Sequence, residues 1–295
     1  MLFTRRDFLK AAGVGAVLAG YTYAYHSCKR YPTRKALLIG VDGLRADSLA
    51  IVPTPNIDSL IQGGAYSFEA QAIDETWSAP GWNTILTGVF PKKHGVKDNS
   101  FSGKNNEQYP TIFSRLAQGK TGSAVAWNPL EELIGKEENH NYYSYNDKKV
   151  VRRTEAFLYS GIFDFIFTHF ISVDNAGHLH GFSDAVLEYA AAIEEIDGYV
   201  GKLVDAIRNR QTYLEEEWLV MLVSDHGGIG KGHGGTSPEE KTIPYIVEGL
   251  TVEPGRIVVP PLQVDVVPTI LTHLGVPIMP EWGLDGKVVG LKESK

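Results

Sequence analysis

Residues 35–43 read Lys-Ala-Leu-Leu-Ile-Gly-Val-Asp-Gly, an apolar run that ends in a carboxylate and a glycine. A run of this length without alternating polar residues predicts a strand that is buried on both faces, as in a parallel sheet. Asp42 would then stand at the carboxyl end of that strand, where open α/β folds bind their ligands. Taken alone, Asp42-Gly43 favours a plain turn.

Similar apolar runs recur along the chain and alternate with helical patterns. Strands are predicted at 123–127, 163–173 and 218–223, and helices at 55–63, 78–88, 109–118, 183–210 and 264–274. This alternation predicts an α/β fold, a three-layer α/β/α sandwich with a mostly parallel central sheet. The polar stretch 131–149 is expected to form a surface loop or a lid.

The composition is that of a globular protein that does not bind nucleic acid through a basic surface. The 295 residues are 43% hydrophobic, and 28 basic residues against 35 acidic residues give a net charge of -7. No nucleic-acid-binding surface is therefore expected, although metal ions could still attract an anionic substrate. The single cysteine, Cys28, excludes an intrachain disulfide and a cysteine-rich zinc cluster within this sequence.

The first residues have the layout of an export signal. Arg5-Arg6 and Lys10 precede an apolar run at 11–20 that is too short for a normal membrane span. The segment resembles the bacterial twin-arginine signal, whose route carries folded and often metal-loaded proteins. We therefore expect an N-terminal signal at 1–28, one catalytic domain at 29–295, and a periplasmic location.

Contact with a membrane is expected only through this N-terminal segment, if it stays uncleaved or is lipidated. Cys28 stands where a lipoprotein cysteine would, but the residues before it, Tyr25-His26-Ser27, fit a lipobox poorly. Ordinary cleavage and an uncleaved anchor remain alternatives.

Acidic and histidine residues follow two more of the predicted strands. Asp174 and His178 follow the strand predicted at 163–173. Asp225 and His226 follow the strand predicted at 218–223, and His233 comes shortly afterwards. Together with the carboxylate after the first strand, they offer three aspartates and three histidines, a donor set that suits zinc-class ions. Six ligands exceed what one tetrahedral zinc uses, so two metals are the simplest interpretation. Taken individually, Asp174 could instead cap a helix, His178 could be a solvated imidazole, and Asp225-His226 could belong to a glycine-rich turn.

Ser78 is the candidate nucleophile because it stands at a predicted helix start, two residues before Pro80. The exposed N–H groups and the positive end of the helix dipole would stabilise an anionic ester there. A simple N-cap serine is the structural alternative. Asn99 could donate its amide to a phosphoryl oxygen or could belong to a turn. Structural or supporting roles are favoured for His94, His169 and His180.

At these residues the sequence resembles the alkaline phosphatase superfamily, in particular its type I phosphodiesterase/nucleotide pyrophosphatase branch. The resemblance runs from Lys35 to about Val289, and the ordered set of motifs is more specific than any one of them. The motifs are Val-Asp-Gly-Leu-Arg-Ala-Asp (41–47), Thr-Pro-Asn-Ile-Asp-Ser-Leu (54–60), Ser-Ala-Pro-Gly-Trp-Asn-Thr-Ile-Leu-Thr-Gly-Val-Phe-Pro-Lys-Lys-His-Gly-Val (78–96), Asp-Asn-Ala-Gly-His (174–178), Ser-Asp-His-Gly (224–227), Gly-His-Gly-Gly (232–235) and Asp-Val-Val-Pro-Thr-Ile-Leu (265–271).

The resemblance implies a hydrolase of phosphoric esters that uses two divalent metal ions, usually zinc. By position, one metal would be bound by Asp174, His178 and His233, and the other by Asp42, Asp225 and His226 with the Ser78 hydroxyl. Ser78 would attack phosphorus and form a phosphoseryl intermediate, while Asn99 would contact the phosphoryl group. The implied partner is a small phosphate ester or diester.

Departures from the branch leave other activities open. The nucleophile is serine where this branch usually has threonine, and His226 and His233 are only seven residues apart, which leaves little room for a substrate-selecting insertion. A diesterase is modestly favoured over a monoesterase. A sulfatase is less favoured because Ser78-Ala-Pro80 is followed by Gly81 and Trp82 without the expected arginine. A headgroup transferase and a non-catalytic binding protein are the remaining alternatives.

Overall fold

The computed structural model describes residues 32–116, 120–135 and 140–293. The predicted export signal and Cys28 lie outside these residues. Within them, the chain forms an eight-stranded sheet in the order β4-β3-β5-β1-β6-β7-β2-β8. The strands are β1 (Thr33–Val41), β2 (Ala65–Gln71), β3 (Thr121–Val125), β4 (His140–Tyr143), β5 (Phe165–Phe170), β6 (Glu216–Val223), β7 (Thr242–Gly249) and β8 (Gly255–Arg256).

The sheet is mostly parallel, as predicted. The pairs β1–β5, β3–β5, β3–β4 and β2–β8 are parallel, whereas β7 runs antiparallel to both β6 and β2. The central strands are buried on both faces, which explains why β1 and β5 read as continuous apolar runs.

Helices cover both faces of the sheet, and none in the described part of the chain has the length and apolar character needed to cross a bilayer. The helices are α1 (Ala46–Leu49), α2 (Pro55–Gly63), α3 (Ser78–Thr87), α4 (Pro91–His94), α5 (Ile112–Arg115), α6 (Glu131–Ile134), α7 (Asp147–Ser160), α8 (Ser172–His180), α9 (Leu187–Arg208), α10 (Pro238–Lys241) and α11 (Val266–His273).

Two hydrophobic cores separate the three layers. On one face, α2, α7 and α9 pack against alternate strand residues such as Leu37 and Ile39. On the other face, α3 and α11 pack against the intervening residues, including Leu38. The predicted three-layer α/β/α sandwich is confirmed.

Three predicted elements differ from the structure. The strand predicted at 163–173 ends at Phe170, and α8 begins two residues later, so Asp174 lies in the first turn of a helix. The helix predicted at 109–118 is reduced to α5. The polar stretch 131–149 is not a loop or lid in its described part, because it contains α6, β4 and the start of α7. An edge strand such as β4 tolerates polar residues because one of its sides faces solvent.

The register of the sheet brings the candidate site together. Val41 at the end of β1 lies opposite Phe170 at the end of β5, and β6 is the other neighbour of β1. The amide of Asp42 donates to the carbonyl of Phe170 at 2.9 Å, so the first residue after β1 is still held in the sheet. Side chains that follow these three strands therefore meet at one edge.

Candidate active site

Three carboxylates converge at this edge of the sheet. Asp42 directly follows β1, Asp225 lies two residues after β6, and Asp174 lies in the first turn of α8. Their exposed fractions are 1%, 0% and 8%, respectively. Two triads of possible metal ligands share His226, and in each triad the ligand atoms lie within 4.8 Å of one another: Asp42, Asp225 and His226, and Asp174, His226 and His233.

His226 is fully buried at the centre of this cluster. Its Nε2 atom lies 3.4 Å from Asp42 Oδ1 and 3.2 Å from Asp225 Oδ2. Its ring stacks on that of His233, with centroids 3.7 Å apart. The two predicted ligand sets thus form one continuous cluster rather than two separate sites.

His178 and His233 complete the second set. His233 Nε2 lies 3.6 Å from Asp174 Oδ1, and His178 Nε2 lies 3.5 Å from Asp174 Oδ2. The side chain of His233 is buried, whereas that of His178 is 44% exposed. The structure therefore brings together all six aspartate and histidine residues that the sequence predicted as ligands.

The backbone fixes which nitrogen of each imidazole carries the hydrogen. The Nδ1 atoms of His178, His226 and His233 lie 3.0, 2.8 and 2.7 Å from the carbonyl oxygens of Lys231, Gly227 and Thr76. A carbonyl can only accept, so each Nδ1 is the donor and each Nε2 keeps a lone pair. All three lone pairs are directed into the cluster, an arrangement typical of metal-binding histidines.

The donor set fits divalent ions. Asp42 Oδ1, Asp174 Oδ1 and Asp225 Oδ2 are buried oxygens without a hydrogen-bond partner among the described residues. Buried polar atoms are rarely left unpaired, and unpaired carboxylate oxygens beside imidazole lone pairs are stabilised by a bound cation or by protons. Nitrogen and carboxylate ligands without thiolates match the zinc class of ions.

Proton affinities indicate the same need for positive charge. Burial and the charge of Asp42 raise the pKa of Asp174 to about 9, and they raise that of Asp225 as well. Burial opposes the charge on Asp42 too, but hydrogen bonds from His169 and Trp82 lower its pKa to about 2. Without cations, the cluster therefore favours one ionised carboxylate.

Burial also keeps the central imidazoles neutral. It lowers the pKa of His226 to about 3, and it lowers the pKa of His233 as well. A neutral imidazole is the form that binds a metal, because only that form has a free lone pair.

Ser78 is the first residue of α3, and its hydroxyl points into the cluster. Its Oγ lies 3.3 Å from His226 Nε2, and the residue is 7% exposed. Since His226 Nδ1 is the donor to Gly227, the Ser78 hydroxyl donates to Nε2. The N-cap of α3 is Trp77 and no side chain caps this helix, so Ser78 does not have the alternative role of an N-cap serine.

Asn99 is held near Ser78 by a hydrogen bond to the backbone of α3. Its Oδ1 accepts a hydrogen bond from the Ala79 amide at 2.9 Å, and the residue is exposed. This bond uses the acceptor end of the side-chain amide, so the Nδ2 hydrogens stay available for an acceptor in the site.

The turns after β1 and β6 are fastened to each other. The amide of Gly43 donates to Asp225 Oδ1 at 3.3 Å, and that of Leu44 donates to Ser224 Oγ at 3.0 Å. The Ser224 hydroxyl in turn donates to the carbonyl of His226. Gly43 has a φ of 70°, and a Cβ there would lie 2.8 Å from the Cα of Asp174. Only glycine therefore lets the turn after β1 approach the first turn of α8 so closely.

The sequence did not single out Trp82, although its indole contacts Asp42. Trp82 Nε1 and His169 Nε2 each lie 3.1 Å from Asp42 Oδ2. The sequence favoured a structural or supporting role for His169, and nothing in the sequence placed it beside Asp42. His94 is instead buried against Thr84, and His180 lies on the surface near Glu188.

Comparisons with known proteins identify a family and several relatives. Residues 36–230 match the family model described as type I phosphodiesterase/nucleotide pyrophosphatase. The human GPI ethanolamine phosphate transferase 2 catalytic subunit is 26% identical over 267 residues, which is 83% of this chain and 26% of that protein. Human ectonucleotide pyrophosphatase/phosphodiesterase family member 5 is 24% identical over 217 residues, which is 66% of this chain and 45% of that protein. The chain thus matches less than half the length of either relative.

A solved structure shows the same fold. Murine ectonucleotide pyrophosphatase/phosphodiesterase 5, solved in complex with AMP, superposes with a TM-score of 0.69 at 14% sequence identity. The match covers 84% of this chain and 96% of the murine chain.

Proposed function

We propose that this chain, which belongs to the type I phosphodiesterase/nucleotide pyrophosphatase family, hydrolyses phosphoric esters. Ser78 would be the nucleophile, and diesters would be preferred to monoesters. The observation that carries this proposal is the 3.3 Å distance between Ser78 Oγ and His226 Nε2, at the centre of the aspartate and histidine cluster. A hydroxyl is a weak nucleophile unless its surroundings favour loss of the proton.

The proposal includes two divalent ions, with zinc favoured by the donor set. Asp174, His178 and His233 would hold one ion, and Asp42, Asp225, His226 and Ser78 Oγ would hold the other. When bound, such ions neutralise phosphoryl charge and favour loss of protons from hydroxyl groups. The unpaired carboxylate oxygens and the Nε2 lone pairs support this assignment.

The residues of the chain would carry out the reaction in two balanced steps. Ser78 Oγ loses its proton to solvent and bonds to phosphorus, while the bond from phosphorus to the ester oxygen breaks and the departing alcohol takes up a proton. Water then adds to the phosphoserine, the bond between Oγ and phosphorus breaks, and the serine hydroxyl is restored. A diester substrate yields a phosphate monoester and an alcohol.

Asn99 would position the phosphoryl group and stabilise its charge. Phosphoryl transfer depends mainly on donors that neutralise charge on the non-bridging oxygens. The Ala79 amide orients Asn99 through its Oδ1 atom, so the Nδ2 group can donate to one of these oxygens. The start of α3 adds the positive end of a helix dipole at the same place.

The nucleophile assignment can be tested with matched serine variants. We expect Ser78→Ala to lower kcat/KM for bis(p-nitrophenyl) phosphate by at least about 1,000-fold while leaving the zinc content near that of the wild type. Ser78→Thr should retain measurable activity because it keeps the hydroxyl. Ser114→Ala, at an exposed serine in α5, is the control and should behave like the wild type. Full activity of Ser78→Ala would refute the assignment.

Transfer to an alcohol is a second candidate, favoured by the match to the ethanolamine phosphate transferase over 83% of this chain. The same phosphoserine could pass its phosphoryl group to an acceptor alcohol instead of water. Turnover of an aryl diester in the presence of ethanolamine or glycerol separates the two activities. A hydrolase gives the same products with or without acceptor, whereas a transferase gives a new diester.

Export to a bacterial periplasm is also part of the proposal, together with a single catalytic domain at 29–295. The export proposal rests on the sequence Arg5-Arg6 followed by the apolar run at 11–20. Exchange of both arginines for lysine should keep the protein in the cytoplasm if the twin-arginine route is used. Unchanged periplasmic activity of that variant would refute this route.

A further inference from the structure

Asp42 differs from the other two carboxylates of the cluster in how its side chain is held. Its Oδ2 atom lies 3.1 Å from Trp82 Nε1 and 3.1 Å from His169 Nε2. Its Oδ1 atom has no hydrogen-bond partner among the described residues and lies 3.4 Å from His226 Nε2. One oxygen is therefore fixed by two side chains, and the other is presented to the cluster.

The two donors are themselves held in place by packing and by the backbone. Asp42 Oδ2 can only accept, so the hydrogen of the His169 imidazole is on Nε2; the Ala126 amide, which donates mainly to the His169 carbonyl at 3.1 Å, also lies 3.4 Å from Nδ1. The rings of His169 and Trp82 pack edge to face with centroids 4.9 Å apart. Both residues are completely buried. The carboxylate thus meets two preoriented N–H groups.

We propose that His169 and Trp82 are positioning residues that tune metal binding at the Asp42, Asp225 and His226 ligands without tuning it at the Asp174, His178 and His233 ligands. This inference rests on the metal assignment of the proposed function. Two N–H donors on Oδ2 fix the rotamer of Asp42 and direct Oδ1 toward the metal. Hydrogen bonds of this kind to a ligand usually change metal affinity about 10- to 100-fold.

The selectivity follows from the contacts of the three carboxylates. Asp225 Oδ1 accepts the Gly43 amide, and its position depends on the turns rather than on the two aromatic rings. Asp174 lies on α8 and has contacts at salt-bridge distance with His178 and His233. Neither Trp82 nor His169 has a hydrogen bond to these two aspartates among the described residues. Loss of an N–H donor to Asp42 Oδ2 should therefore weaken the binding of one ion, the one held by Asp42, Asp225 and His226.

The test measures zinc affinity of the purified protein by competition with a chromogenic chelator. His169→Leu removes the donor, His169→Gln keeps an N–H group of similar reach, and Trp82→Phe removes the indole N–H but keeps a ring. His94→Leu is the matched control, since His94 is an equally buried histidine bonded to Thr84 and not to a ligand. Thermal melting of each metal-free variant reports on folding.

We expect wild type to bind two zinc ions, and His169→Leu and Trp82→Phe to weaken one of them by about 10- to 100-fold. His169→Gln should be weakened less, and His94→Leu should bind both ions like wild type. Double variants identify which metal site is affected. The loss of zinc affinity caused by His169→Leu should persist when it is combined with Asp174→Asn, which weakens the other site. It should disappear in combination with Asp42→Asn, where the positioned carboxylate is already gone.

Three results would overturn the inference alone: equal weakening of both ions, the same loss in His94→Leu, or a Gln variant no better than the Leu variant. A wild type that binds no zinc would overturn the metal assignment of the proposed function as well. If His169→Leu fails to fold, His169→Gln and Trp82→Phe still decide the question through the same affinities.

Discussion

The Nε2 atoms of His178 and His233 lie 3.1 Å apart, although neither carries a hydrogen that could bond to the other. Each ring already donates its Nδ1 hydrogen to a backbone carbonyl, from Lys231 and Thr76 respectively. Two facing lone pairs repel at this distance, whereas a cation near both nitrogens would be attracted to each. The fold therefore creates an electrostatic conflict that a bound metal ion would resolve.

Removal of divalent ions should consequently lower the stability of the protein. A ligand present at 100 times its Kd stabilises the native state by about 2.7 kcal/mol, which corresponds to roughly 5–10 °C in Tm for a domain of this size. We expect that shift between zinc-loaded and chelator-treated protein in differential scanning calorimetry, with recovery on re-addition of zinc. A magnesium control should restore less, because imidazole ligands suit zinc better. An unchanged Tm after complete chelation would contradict a structural contribution of the ions.

Asn99 offers a test of charge stabilisation that is separate from the nucleophile. Asn99→Asp keeps an oxygen for the Ala79 amide but replaces the Nδ2 donor with an anion that repels the phosphoryl group. We expect kcat to fall by about 100-fold or more for Asn99→Asp, because loss of one such donor typically costs that much. Because Asn99→Asp still accepts the hydrogen bond from the Ala79 amide, the Tm of this variant should stay close to that of wild type. Asn99→Ser, which removes the charge conflict, should lose less activity. A kcat unchanged in Asn99→Asp would exclude the proposed contact.

The sequence predicted the central layer of the fold well, because buried parallel strands read as uninterrupted apolar runs. β1 and α2 have almost the predicted bounds. The strand predicted at 163–173 was too long, since apolar Val173 in the first turn of α8 continues the hydrophobic pattern of β5. Periodicity alone does not separate a buried strand from the helix that follows it.

The six predicted aspartate and histidine ligands are brought together because strand ends in a parallel sheet share one edge. The sequence could not show how they are oriented, since the carbonyls of Lys231, Gly227 and Thr76 that fix the imidazole rings have no sequence signature. The contact of Trp82 with Asp42 could not be predicted from the sequence either. It depends on α3 packing across the sheet, which places residues 40 positions apart in contact.

Gly43 should be indispensable for the close approach of the turn after β1 to the first turn of α8. Gly43→Ala places a Cβ 2.8 Å from the backbone of Asp174 and forces a side chain into a φ of 70°. The left-handed conformation alone costs about 1–2 kcal/mol, and the clash should also displace Asp42 or Asp174 and weaken zinc binding. Urea unfolding and chelator competition measure the two effects. Gly198→Ala in α9 is the control, since a Cβ there meets nothing within 4 Å, and it should stabilise by about 0.5–1 kcal/mol.

Glu216 should make stability depend on pH at a place remote from the cluster. Arg210 donates two hydrogen bonds of 2.7 Å to it, and Trp218 donates a third. Burial opposes its charge, but these donors lower the pKa of Glu216 from 4.5 to about 2. A lowered pKa means that the stabilisation is complete above about pH 4.5 and is lost as the pH falls toward 2.

Glu216→Gln should therefore destabilise the metal-free protein by about 1–2 kcal/mol at pH 7, since solvent screens part of the charge effect, and its difference from wild type should shrink as the pH is lowered from 4.5 to 2. Urea unfolding of both proteins at pH 7, 4 and 3 measures this difference, and ionisations common to both cancel. Glu217→Gln is the control because Glu217 pairs with the half-exposed Arg34, and such surface pairs contribute about 0.2–1 kcal/mol. A difference that stayed constant down to pH 3 would show that the Glu216 charge does not stabilise the fold.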